Sequence, residues 1–116
     1  MVTGTLSFDA LLVACRELLP RLQSRFAAYQ AENFPERVPE FFCLELCGEA
    51  GELANLEKKR WKGIEIPVDK LADEAADVLI ALVNYANACN IDLASAVTAK
   101  LGTIEKARQE SQGRSF

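Results

Sequence analysis

Histidine is absent from this chain of 116 residues. That absence removes Ser-His-Asp and Cys-His triads, HExxH zinc sites and the Glu-x-x-His iron sites of helical bundles. Any chemistry has to run on carboxylates, amines, amides, hydroxyls or a metal ion. Cysteines stand at positions 15, 43, 47 and 89, and no two form a C-x-x-C pair. Three of them sit among apolar helical residues, so they read as reduced core thiols of an intracellular protein, not as a disulfide framework or a zinc site. The opening MVTGTLSFDA lacks a basic start followed by an apolar run, so no secretory leader is expected. No apolar stretch is long and continuous enough to span a bilayer. Thirteen basic residues against 17 acidic ones leave a net charge of −4, no surplus for a nucleic-acid groove or an anionic membrane. These absences predict a cytoplasmic protein that binds neither nucleic acid nor membrane.

Strand patterns, internal repeats and low-complexity tracts are also missing. Helical periodicity remains. Leu11, Leu12, Cys15, Leu18, Leu19, Leu22 and Phe26 recur at three-and-four spacing and predict a helix from a Ser7 cap toward Gln30, kinked or divided at Pro20. ENFPERVP, residues 32–39, is a loop. A second helix is expected from Glu40 to Trp61, a third from an Asp69 N-cap to Ala88, and a fourth from an Asp92 cap to Arg108. The sum is a single all-α domain over residues 1–116, with flexible ends at 1–6 and 110–116.

The charges fall in the wrong places for an ordinary bundle. In CGEAGEL, residues 47–53, two glycines and two glutamates occupy a helix interior. Each glycine costs a helix about 1 kcal/mol relative to alanine. Glu49 shares its face with Phe42, Leu46, Leu53 and Leu56, so it lies within the apolar stripe, with Glu45 and Glu52 along one edge. From Ala75 to Cys89 the only charged residue is Asp77, with Glu74 one turn before it and Asn84 two turns after it. A buried carboxylate without a partner costs several kcal/mol or stays protonated. Antiparallel packing would bring Glu49, Glu52, Glu74 and Asp77 together. Four anions in one cavity call for a cation, and an all-oxygen donor set selects Mg²⁺, or Mn²⁺, over zinc. Mg²⁺ commonly shares its shell with substrate phosphates, which points to phosphate chemistry. Gly48 and Gly51 would then admit another helix or a ligand close to the acids.

Glu49-x-x-Glu52, a spacer from Leu53 to Asp73, then Glu74-x-x-Asp77 resembles the signature of the MazG-like all-α nucleoside triphosphate pyrophosphohydrolases. The flanking GEL and DVLI, the AN at Ala86–Asn87 and the following IDL match as well, and the likeness covers roughly residues 30 to 108. It most resembles the short single-domain deoxynucleotide types, including the dCTP pyrophosphatases. The resemblance implies a four-helix-bundle-like MazG-type fold that oligomerises through its helices. It also implies cleavage of a nucleoside triphosphate between the α and β phosphates, with the four acids binding Mg²⁺ and Glu49 or Glu52 acting on the attacking water. Asn84 and Asn87 become substrate-binding candidates. Lys100, Lys106 and Arg108 match the family's basic positions in the last helix, although Ile104 stands where an asparagine is frequent. Trp61 and Phe34 are candidates to stack on the base, and EKKRWK, residues 57–62, is either a triphosphate attractor or a solvated helix end.

Three readings stand open at this level. The first is a Mg²⁺-dependent pyrophosphohydrolase that clears unwanted deoxynucleotides such as dCTP. The second is a relative acting on another diphosphate bond, such as that of phosphoribosyl-ATP. The third is a non-catalytic helical interaction module. A homodimer or a dimer of dimers is expected, because the third helix is apolar on nearly every face and Phe41 points away from the stripe.

Overall fold

The computed structural model describes residues 5–113. Of the flexible ends expected at 1–6 and 110–116, residues 1–4 and 114–116 lie outside the described residues. The fold is all-α: α1 spans Thr5–Asn33, α2 Pro39–Trp61, α3 Val68–Ala88 and α4 Leu93–Gly113, with no strand among the described residues. Contacts divide the chain into two compact units. One comprises residues up to Arg25 together with those from Ile91 onward; the other is Phe26–Asn90.

Within Phe26–Asn90, α2 and α3 form an antiparallel pair, as their facing residues show. Phe42 and Glu45 share hollows with Asn84, Glu49 faces Asp77 and Glu74, and Leu56 lines a hollow together with Asp69 and Asp73. Small residues make the close approach possible: Ala81, Val83 and Ala86 are buried on α3, and Phe42 of α2 is 5% exposed. Burying that one ring contributes about 2–3 kcal/mol. Pro39 occupies the first turn of α2, where its missing N–H costs nothing. The other end of α2 closes in a Schellman pattern, Gly63 N–H to the Arg60 carbonyl and Ile64 N–H to the Lys59 carbonyl, with Gly63 at φ 95°.

In the other unit, α4 begins on two polar side chains. Asp92 Oδ1 accepts from Ser95 N–H at 3.3 Å and Oδ2 from the Ser95 hydroxyl at 2.9 Å, the expected N-cap. Those bonds hold the Asp92 carboxyl below its usual range. Gln23 of α1 accepts from Leu93 N–H and donates to the Ile91 carbonyl, each at 2.8 Å. Nothing in the local sequence announces that bridge.

Several expectations are corrected. α1 runs through Pro20 as one helix; Arg16, whose carbonyl loses its donor there, lies on an exposed face where water can serve it. α1 also starts by Thr5, so Ser7 lies inside the helix and is no cap. Asp69 is not the cap of α3 either. Pro67 holds that place with no side-chain bond, and Asp69 sits in the first turn, where its charge complements the helix dipole. α4 continues to Gly113, so residues 110–113 are helical rather than frayed. The cysteines are free thiols but not core thiols: Cys43 and Cys47 are exposed, Cys15 and Cys89 half-buried.

Candidate active site

The shielded positions of α2 beyond its first turn are Phe42, Leu46, Glu49, Leu53 and Leu56. Glu49 thus lies within the stripe that faces α3, at the spacing a 3.6-residue period demands. Across from it α3 presents Glu74 and Asp77, one turn apart and both half-buried. One oxygen from each of Glu49, Glu74 and Asp77 lies within 4.8 Å of the other two. Glu52 differs from the other three. It is exposed and stands at the edge of this trio, where its carboxylate still acts on Glu74.

Among the described residues, no ion pair joins these carboxyls to a basic side chain. Glu74 Oε2 is buried and receives no hydrogen-bond donor. Its neighbours are carboxylates: contact with Glu49, partial burial and contact with Glu52, together with the charges of both, raise the Glu74 pKa from 4.5 to about 7. At Glu49 the contact with Glu74 acts to lower the pKa, but burial and the charges of Asp77 and Glu52 outweigh it, and the net shift is upward. A shared proton is one way to relieve such a cluster. A hard divalent cation is the other, and an all-oxygen donor set with a buried, donorless oxygen fits it.

A chain of hollows leads away from the acids. A small one of about 90 Å³ is lined by Glu45, Glu49, Asp77 and Asn84, with no basic side chain. Asn84 also borders a cavity of about 420 Å³ between the end of α1, the following loop and the last turns of α3. Phe34 and Asn87 line that larger cavity, so three residues singled out in the sequence, Phe34, Asn84 and Asn87, meet in one place. Glu36 and Arg37 line it too. Sequence reading passed over them, and their only signal was a charged pair held between Pro35 and Pro39.

Comparison with known proteins finds named relatives. The chain is 37% identical over 111 residues to dCTP pyrophosphatase 1 of Bos taurus, covering 87% of the chain and 62% of that protein. It is 38% identical over 97 residues to dCTP pyrophosphatase 1 of Mus musculus, covering 75% of the chain and 55% of that protein. The chain thus spans little more than half the length of the curated relatives it matches. No protein-family model matches the sequence, and no solved structure matches it. The chain resembles these dCTP pyrophosphatases over most of its own length.

The remaining candidates fall elsewhere. Trp61 ends α2, is 85% exposed, and lines none of the cavities around Phe34 and Asn84. Lys58, Lys59 and Arg60 form the last turn of α2, where cations complement the helix dipole, and Arg60 pairs with Glu57 at 3.0 Å. Lys100, Lys106 and Arg108 lie on α4, in the other unit. Arg108 is engaged there: its guanidinium donates twice to Glu105, both bonds at 2.7 Å. Gly48 and Gly51 admit no neighbour within the chain, since a Cβ at either would meet nothing within 4 Å. Phe41 has found its neighbours within the chain, edge-on against Phe42 with Arg37 over its ring. No single helix among the described residues is long and apolar enough to cross a membrane.

Proposed function

We propose that this chain is a Mg²⁺-dependent nucleoside triphosphate pyrophosphohydrolase, with Mn²⁺ as a substitute, that cleaves a deoxynucleotide such as dCTP to the monophosphate and pyrophosphate. The observation that carries it is the buried, donorless Glu74 Oε2 within a three-carboxylate cluster. The dCTP pyrophosphatase relatives supply the substrate class. Nucleotide-pool house-cleaning in the cytoplasm, by a single domain over 1–116, is the role that fits.

Glu49, Glu74 and Asp77 would hold the ion, with Glu52 completing the set from its edge. A divalent cation there supplies Lewis-acid stabilisation of charge on the transferring phosphorus. The chain's own acids handle the proton. Water adds its oxygen to phosphorus, the bridging P–O bond between the α and β phosphates breaks, and the water proton passes to the Glu49 or Glu52 carboxylate. The base occupies the cavity of about 420 Å³, with Phe34 for stacking and the Asn84 and Asn87 amides along the path to the acids. Lys100, Lys106 and Arg108 are the candidate phosphate contacts of α4.

The working unit is a homodimer or a dimer of dimers. Leu79, Ile80 and Leu82 of α3 and Leu44 of α2 are between 38% and 74% exposed. Such apolar positions on neighbouring helices favour an interface. Trp61 acts on the base only if a second copy covers it.

The test is a panel of ribo- and deoxynucleoside triphosphates with Mg²⁺, scored for pyrophosphate against phosphate. Pyrophosphate with a monophosphate is expected, best with a deoxynucleotide. Phosphate release alone, or no turnover of any nucleotide, overturns the reading.

A further inference from the structure

The cavity beside the acids carries one cation. Arg37 lines the cavity of about 420 Å³ and also the adjoining hollow of about 260 Å³, which Asn84 shares. The Arg37 guanidinium carbon stands 4.5 Å over the centre of the Phe41 ring. Phe41 in turn meets Phe42 edge-on, centroids 5.4 Å apart, and Phe42 is anchored in the core. The guanidinium therefore rests on a supported platform, although Arg37 itself lies in an exposed loop. Among the described residues it makes no ion pair. A guanidinium held over a ring by its face keeps its N–H edge free to donate.

The donor and acceptor character of the lining separates bases. An asparagine amide both donates and accepts, so Asn84 and Asn87 can turn to suit either kind of edge. Arg37 only donates, and an ionised Glu36 only accepts. Cytosine presents two adjacent acceptors, N3 and O2, next to the amino donor on C4. That arrangement matches an arginine fork on two neighbouring acceptors with a carboxylate on the amino group. Uracil and thymine place an N3–H donor between two carbonyls, so the same fork would meet a donor. We propose that Arg37 and Glu36 read the base edge of a nucleotide in this cavity and select cytosine over uracil and thymine. The inference rests on the reading of the cavity as the nucleotide pocket.

Binding of the product-like monophosphates tests it without metal or turnover. Titration calorimetry of dCMP and dUMP into the full chain is expected to show dCMP tighter by about tenfold or more. Arg37→Ala and Arg37→Lys should both bring dCMP to the dUMP level. Glu36→Ala should weaken dCMP by a few-fold and leave dUMP unchanged. Lysine keeps the charge and loses the fork, so retained selectivity in Arg37→Lys would reduce Arg37 to a phosphate attractor and overturn the proposal. Equal binding of dCMP and dUMP by the wild type, or no binding of either, overturns it as well, even when the triphosphates are hydrolysed. A chain that prefers dCMP yet releases no pyrophosphate from dCTP keeps the proposal and sinks the hydrolase reading instead. Circular dichroism checks the fold, and Arg37→Lys decides if the alanine variant does not fold.

Discussion

Glu105 and Glu74 are both half-buried glutamates on helices, and their surroundings could hardly differ more. Arg108 grips Glu105 with two bonds at 2.7 Å, and that partner holds the Glu105 carboxyl below its usual range. Glu74 faces other acids, first of all Glu49, and its pKa rises to about 7. Burial is shared by the two sites, so it does not explain the opposite signs. The partner does. An acid with its counter-ion built in is a structural detail of α4. Acids without one leave a charge that something outside the chain has to answer, and that is what separates a site from a surface.

The largest test of this contrast is removal of that outside charge. Pyrophosphate release is expected to stop in EDTA and to return with Mg²⁺ or Mn²⁺. Undiminished turnover in metal-free buffer would show that the cluster is not the working site.

Single substitutions come next. Asp77→Asn and Glu49→Gln should each lower turnover by at least about a hundredfold, the scale on which removing an electrostatic contributor is felt. Neither should lower the melting temperature of the metal-free protein, because each removes a negative charge from a crowded cluster. Glu105→Gln is the control: it should cost a little stability and leave the acids of α2 and α3 unaffected. A cluster variant that melts well below wild type without metal would mean these acids hold the fold together rather than a ligand.

That much of the site was legible because two helices announced it by period. One acid, Glu49, within the apolar contact stripe of α2, and one charge, Asp77, in the stretch from Ala75 to Cys89, are violations that local sequence displays. Reversing one helix against the other then brings Glu49 to Glu74 and Asp77. Glu52 was read along the edge of that stripe, and three positions on from Glu49 it lies about 60° around the helix and is exposed there. Other features were hidden for a different reason. Gln23 bridges to Ile91 and Leu93 across nearly seventy residues of sequence, and Arg37 rests on Phe41 from within a loop. A single polar side chain reaching a distant backbone has no period to betray it. Cys43 and Cys47 misled in the opposite way: their neighbours are apolar, yet the helix turns both thiols outward.

The pH dependence of stability has a sign that follows from the same contrast. Glu74 titrates near 4.5 unfolded and at about 7 folded, so between those values the folded metal-free protein binds the extra proton. Its stability should therefore fall as pH rises from 4.5 to 7, and Mg²⁺ should offset the loss above that window. Glu105 runs the other way. Its folded pKa is depressed, so its contribution is present above the unfolded value and fades as pH falls through the folded one. Thermal melts across pH, with and without Mg²⁺, check both; in Glu74→Gln the decline between 4.5 and 7 should flatten. A metal-free wild type that gains stability over that interval would contradict the shared proton.

The smallest expected effect concerns the other face of α2, where the glycines lie. The stripe of α2 that meets α3 carries Glu49, and a Cβ at Gly48 or Gly51 would have no described neighbour within 4 Å. Both are in the helix interior, and a methyl group at either position meets open space. Gly48→Ala and Gly51→Ala should therefore each stabilise the isolated chain by about 1 kcal/mol, through helix propensity and a less flexible unfolded chain. The expected result is a higher melting temperature with the assembled mass unchanged in light scattering. A lower melting temperature together with a smaller mass would place a second copy's backbone against these glycines, and the penalty they impose on α2 would then have its reason in the assembly rather than in the single chain.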